Sequence, residues 1–336
     1  MEQLWEIWKG LLPATGAPFF LFLFTNLRRS YKLILHIFSQ EREPKMTNFE
    51  TLVDLLEKNA PGAYMAGEMT ETGYVEKQFR LGAGAHNTYS LSKSVTACAV
   101  GILEREGRIK DTDTVFKYIP DLFPEGYDKK WETVTLANVM RHHTGVGPEA
   151  NIDIDSMDFW ADGHDDFLAH MLSLPIIYEP GKGPFVYCDT NFYLVGVVVE
   201  RITGMTLYEF LQLNMFNILR WRGHAWGTCP KNHTLGGTGL FARARDLCAY
   251  GLMLACGDEF EGKRILTPEW IEKARCEKGS YGYGFTNSPD GRWFFTAGAY
   301  GQIVYIFPET RETFAVLGHD MPFDLINREI VPLYLK

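Results

Sequence analysis

Basic residues are in deficit, with 33 Lys and Arg against 42 Asp and Glu and a formal net charge of −9. A nucleic-acid footprint needs clustered Lys and Arg in excess, so that class of partner is excluded and small molecules are the expected ones. The six cysteines (Cys98, Cys188, Cys229, Cys248, Cys256, Cys276) contain no C-x-x-C pair, which argues against a structural zinc site. Free thiols in a reducing, cytoplasmic compartment follow. The nine histidines contain no H-E-x-x-H, and the one adjacent pair, His142-His143, closes a helix before "TGVG". No metal or other cofactor is expected. Internal repeats and low-complexity runs are missing too.

Long apolar runs are also scarce. "LLPATGAPFFLFLF" resembles the core of a signal peptide, but the preceding "MEQLWEIWKG" lacks a positive n-region. "TNLRRSYK" interrupts the run before a bilayer crossing is reached. Residues 1–45 are therefore either a peripheral membrane helix, with Arg28, Arg29 and Lys32 at the interface, or an extension outside a domain that begins near Met46.

At 336 residues the chain can bury a sizeable core. "NFETLVDLLEKN" has helical spacing and precedes "GAYMAGEM", the turn "TETG" and "YVEKQFRLG", a helix and then a β-hairpin. The chain closes with "RWFFTAG", "QIVYIFPE" and "TFAVLGH" around turn signals, then a periodic "FDLINREIVPLYL". Strands joined by short turns pair antiparallel. An α/β (α+β) fold is expected: a five-stranded antiparallel sheet flanked by helices, made from 46–110 and 281–336, with a mostly helical subdomain, 111–280, set into it. Helix signals in that middle are "TLANVMRHHTG", ending on a glycine, the T-x-x-E capping box of "TLYEFLQLNMF", and the Thr-Pro start of "TPEWIEKAR". The acidic stretch "NIDIDSMDFWADGHDD" lacks the ligand order of a calcium loop and is expected to be a solvated loop.

"NTYSLSKSVTA" offers three serines and a lysine within five residues. On a helix only positions three or four apart share a face, so Lys93 pairs with Ser90 and not with Ser92 or Ser94. Ser90 lies at or near the first turn, where unpaired N–H groups favour developing negative charge. A serine is a poor nucleophile until a base takes its proton, and Lys93 can do so only if partial burial lowers its affinity for a proton. S-x-x-K alone recurs by chance roughly once in a chain of this length, and Ser90 would then be a helix cap.

"YSLSKS", "PGKGPFVYCDTNFYLVGVVVERITG" (Pro180 to Gly204) and "GGTGLFARARDLCAYGLMLACGDEFEGKRILTPEWIEKA" (Gly236 to Ala274) occur in that order. From about Ala63 to Pro308 the chain resembles the serine β-lactamase and penicillin-binding-protein superfamily, particularly its class C-like esterases and amide hydrolases. The resemblance implies Ser90 as nucleophile and Lys93 as its base. It implies Tyr187 of "YCD" as proton relay, with Asp189 in place of the usual asparagine and a different substrate contact there. The third motif best fits "TAGAYGQ", similar to the strand of amide hydrolases of the 6-aminohexanoate-oligomer type. Thr296 then stands where a cation commonly lies, Gly298 lets backbone approach ligand, Ala299 supplies the second oxyanion N–H, and Tyr300 contacts substrate. A neutral Thr296 disfavours the carboxylate of a β-lactam or a D-Ala-D-Ala end.

The expected activity is acyl-enzyme hydrolysis of a small ester or amide. The alternatives are a D,D-peptidase or β-lactamase, or an inactive member that binds a ligand or sits on a membrane. "GAGAH" lacks G-x-G-x-x-G and is expected to be a turn, His143 is expected to be structural, and Arg243, Arg245 and Asp246 suit a helix start and its surface. The acid-rich loop from Asp153 to Asp166 and the segment from Trp221 to His233 are expected to shape the pocket.

Overall fold

The computed structural model describes residues 46–80, 84–150, 166–257 and 259–335. The expectations for residues 1–45 and for the acidic stretch up to residue 165 lie outside them. Within Asn48–Lys336, a single compact unit, the first element is helix α1 (Asn48–Asn59), whose Phe49, Leu52, Leu55 and Leu56 form one apolar face. The hairpin β1 (Ala63–Thr70) and β2 (Gly73–Gln78) follows, turning at the expected place.

The hairpin joins a C-terminal run of strands, β8 (Thr286–Asn287), β9 (Phe294–Gly298), β10 (Gln302–Phe307) and β11 (Glu312–Gly318), in the order β2-β1-β11-β10-β9-β8. All neighbours are antiparallel, and Ala66 faces Val316 while Val304 lies between Ala315 and Thr296. The sheet has six strands where five were expected. The extra one, β8, is two residues long, too short to show the alternation by which a strand is recognised.

The central strands β10 and β11 are buried on both faces. Ile303, Tyr305, Phe314 and Val316 pack with Leu52 and Leu56 of α1 and with Ile326 of the last helix, α9 (Phe323–Glu329). Val304, Ile306, Ala315 and Leu317 belong to the larger core on the other face. Each fully buried aliphatic side chain contributes about 1.5–3 kcal/mol, so the alternation along two strands ties both helical layers to one sheet.

Between β2 and β8 come β3 (His86–Asn87), a 3-10 turn (Tyr89–Leu91), and helices α2 (Ser92–Arg105), α3 (Leu136–Met140), α4 (Phe167–Ser173), α5 (Asp189–Thr203) and α6 (Leu207–Leu211). They continue with β4 (Ala225–Trp226), β5 (Leu240–Ala242), α7 (Ala244–Ala255), β6 (Glu259–Phe260), β7 (Lys263–Arg264) and α8 (Pro268–Arg275). The capping box of Thr206 with Glu209 and the Thr267 cap before Pro268 are where the sequence places them. Helix α3 differs: it stops at Met140 and the chain turns at His142, whose φ is 59°, three residues before the glycine expected to end it. The middle also holds small sheets, β3-β5-β4 and β6-β7, that were not expected. The segment from Trp221 to His233 includes β4 and buries Trp221 and Trp226. Asp246 is buried rather than on the surface, because it accepts the Arg222 N–H at the foot of α7.

Helix α2 is enclosed almost all round, from Ser92 to Leu103. A helix so placed must pair its polar side chains internally. Ser94 Oγ donates to Leu91 O (2.9 Å) and Thr96 Oγ1 to Gly236 O (2.7 Å). The N-terminal end of this central helix carries the candidate chemistry.

Candidate active site

Ser90 lies in the 3-10 turn just before α2, and neighbouring side chains hold that turn. Asn87 Oδ1 accepts the Tyr89 N–H (2.9 Å), while Thr88 gives both its N–H and its hydroxyl to Leu240 O (2.7 and 2.9 Å). Strand β9 presses on the same turn. A Cβ added at Gly298 would lie 2.0 Å from Thr88 O, so only glycine permits the contact. The close approach expected of Gly298 is thus to the protein's own backbone at Thr88.

Ser90 is half-buried, and its Oγ accepts a hydrogen bond from Tyr187 Oη at 2.6 Å, across 97 residues of sequence. Lys93 has no solvent exposure, and its Nζ donates to Asp189 Oδ1 (2.5 Å) and Gly237 O (2.7 Å) instead of Ser90. It also lies 4.8 Å from the centre of the Tyr187 ring. Lys93 therefore reaches the nucleophile's surroundings through Tyr187. Asp189, expected to contact substrate, has its carboxylate on Lys93, and its side chain keeps 14% exposure. Enclosing an unpaired ammonium costs several kcal/mol, which explains why a carboxylate and a carbonyl converge on it. Glycines make room: a Cβ at Gly237 would lie 2.5 Å from Asp189 O.

His142 is a member of this group that the sequence reasoning did not single out. Its ring stacks on Tyr187 (centroids 4.6 Å, 29° between planes) and is fully buried. Its Nδ1 accepts the Cys188 N–H (3.1 Å) and lies 3.0 Å from Asn191 Nδ2. Burial, with the Lys93 charge nearby, holds its proton affinity well below the usual histidine range, so the stacked ring is a neutral imidazole. The signal in the sequence is "HHTG"; its second histidine, His143, expected to be structural, has its Nδ1 2.9 Å from Gly183 O.

On β9, Thr296 is 1% exposed and its hydroxyl has no hydrogen-bond partner among the described residues, so the neutral group expected to meet substrate is buried there. Beyond it Ala299 is exposed, and its carbonyl is 3.3 Å from Gln302 Nε2. That same Gln302 bonds both the N–H and the C=O of Gly318, which ties the end of β9 to β11. Tyr300 is 57% exposed with a φ of 65° and packs edge-on against Tyr89 (5.0 Å). Ser90 with Tyr187 and Lys93 with Asp189 thus form two hydrogen-bonded pairs that meet where the Lys93 ammonium lies over the Tyr187 ring, and Gly298 and Tyr300 touch the Ser90 turn. Among the described residues no group of three or more His, Cys, Asp or Glu is placed to hold a metal, and no helix is long and apolar enough to cross a membrane.

An enclosed lysine, a tyrosine bonded to a serine at the head of a central helix, and the end of strand β9 beside them are an arrangement suited to serine acyl transfer. The beta-lactamase family model matches residues 84–330, and the chain belongs to that family of serine hydrolases. It is similar to 6-aminohexanoate-dimer hydrolase of Paenarthrobacter ureafaciens, 25% identical over 301 residues, covering 79% of this chain and 74% of that protein. Penicillin-binding protein 4* of Bacillus subtilis is 25% identical over 188 residues, 52% of this chain and 40% of that protein. Among solved structures, a family VIII carboxylesterase superposes with a TM-score of 0.69 at 17% identity, covering 87% of this chain and 98% of that one, a likeness of fold.

Proposed function

We propose that this serine hydrolase cleaves a small, uncharged ester or amide through an acyl-enzyme on Ser90. The observation that carries the proposal is the Tyr187–Ser90 hydrogen bond at 2.6 Å, backed by the enclosed Lys93. In the form one proton short of full, the Tyr187–Lys93 couple accepts the Ser90 proton as Oγ attacks the carbonyl carbon. Backbone N–H groups of Ser90 and Ala299 meet the oxyanion, and losing one such donor costs about 100- to 1000-fold in rate. The couple returns the proton to the leaving group. Water then attacks the Ser90 ester, gives its proton to the couple, and frees the acid while Ser90 Oγ regains a proton.

The choice of an uncharged substrate rests on charge. Lys93, the cation beside Ser90, is already paired with Asp189, and Thr296 adds none. A substrate carboxylate would meet no charge-assisted bond from either residue. A p-nitrophenyl ester should therefore turn over, while a penicillin probe should acylate Ser90 much more slowly. Rapid penicillin acylation would overturn the assignment to uncharged substrates.

A further inference from the structure

Two tyrosines beside the nucleophile hold a backbone conformation that bulky side chains avoid: Tyr89, immediately before Ser90, at φ 49°, and Tyr300, immediately after Ala299, at φ 65°. Strain of this kind costs about 1–3 kcal/mol per residue and persists where the surroundings impose it, commonly at ligand sites. Here the result is an exposed ring held in place. Tyr300 meets the Tyr89 ring edge-on at 5.0 Å and stacks on His319 at 4.9 Å, with 28° between planes. His319 is fixed in turn by a hydrogen bond between its Nδ1 and the Tyr64 hydroxyl, and the Tyr64 ring stacks on His86 at 4.7 Å. A ring with no role would be free to turn into solvent. This one is braced through four others while 57% of its surface stays open.

A second exposed aromatic lies beside the residue that bonds Ser90. Phe185, 46% exposed, sits two positions before Tyr187, with its ring 5.3 Å from that of His142 and 5.5 Å from that of Tyr281. Resting on the proposed hydrolysis at Ser90, we infer that Tyr300, seated on Tyr89, and Phe185 are specificity residues that stack against an aromatic group next to the scissile carbonyl. The substrate class is an uncharged aryl-bearing ester or amide. Favourable ring pairs contribute about 0.5–1.5 kcal/mol beyond area burial, which corresponds to a selectivity of about 2- to 12-fold for an aromatic ring over a saturated ring of the same size.

The test compares kcat/KM, by pH-stat, for ethyl phenylacetate against ethyl cyclohexylacetate and for benzyl acetate against cyclohexylmethyl acetate. Each pair matches bulk; the first shares its leaving group, ethanol, and varies the ring on the acyl side, and the second shares its acyl group and varies the ring on the leaving alcohol. The inference predicts that at least one pair shows an aromatic preference of about 3- to 10-fold. It further predicts that Tyr300→Phe keeps this preference, while Tyr300→Leu, which retains bulk, brings it to within twofold of unity. Turnover with no aromatic preference, or a preference that survives in both Tyr300→Leu and Phe185→Leu, overturns the inference and leaves the hydrolase standing. Failure of all four esters to turn over would overturn both.

Discussion

The two flanks of the Ser90 turn are built on opposite plans. On the helical flank, Lys93 is wholly enclosed and bonded to Asp189 and the Gly237 carbonyl, while Tyr187 bonds Ser90. On the strand flank, Thr296 buries a hydroxyl with no partner among the described residues, Gly298 is pressed onto Thr88, and Tyr300 stands open in a strained conformation. An enclosed, paired lysine beside a hydrogen-bonded serine fixes charge and proton positions, as acid–base chemistry requires. An open strand end leaves surface for a substrate to complete. On the proposed reading, bond-breaking falls to the first flank and selection to Tyr300 on the second, with Phe185 beside Tyr187 adding to it.

The largest effect that would sharpen this contrast is expected from Tyr187→Phe, which removes the hydroxyl bonded to Ser90. Steady-state kinetics should show kcat lower by about 10²- to 10⁴-fold on every ester, with the ranking of esters unchanged. A change confined to KM, or to some substrates only, would place Tyr187 on the selecting flank. Next comes Asp189→Ala, which strips Lys93 of its counter-charge. Loss of one partner of a buried pair costs about 3–5 kcal/mol, readable as a lower urea midpoint, and Asp189→Asn should cost less because an amide oxygen still accepts. Wild-type stability in Asp189→Ala would mean that the pair holds nothing together.

Gly298→Ala tests the contact between the strand flank and the turn. The added Cβ would sit 2.0 Å from Thr88 O, so a backbone must move, at a cost of about 1–3 kcal/mol with a fall in turnover. Unchanged turnover would show that the strand does not position Ser90. The smallest effect lies away from both flanks and serves as a control. Burial pushes the Asp246 carboxyl up from 3.8 to about 6, against the opposing pull of the Arg222 and Arg243 N–H groups. The folded state therefore binds that proton more tightly than the unfolded one, and stability falls as pH rises from 3.8 to about 6. Asp246→Asn removes the penalty. Thermal unfolding should place it a few degrees above wild type at pH 7–8, about 1–2 kcal/mol, with the gap closing near pH 4 and turnover per folded molecule unaltered.

Much of this was legible in the chain. Turn signals set the hairpin and the antiparallel sheet, apart from the two-residue strand β8. Helical spacing singled out Ser90 through its pairing with Lys93, whereas Ser90 lies in a 3-10 turn before the helix and Lys93 bonds elsewhere. What was hidden is contact across distance. Lys93 meets Asp189 over 96 residues and Gly237 over 144, and no local pattern announces that the lysine's partners would be those two rather than Ser90. The same limit applies to His142, whose stacking on Tyr187 depends on a left-handed turn at a residue where glycine would be the ordinary choice. Thr296 illustrates the reverse case: its place on the strand was legible, whereas its burial depends on what packs over β9.

The most direct test is intact mass after exposure to a fluorophosphonate, followed by peptide mapping, for wild type and for Ser90→Ala. The predicted result is a single phosphonyl adduct on Ser90 in the wild type and none in the variant. An adduct that persists in Ser90→Ala, or that maps to Ser92 or Ser94, would contradict the assignment of the chemistry to Ser90.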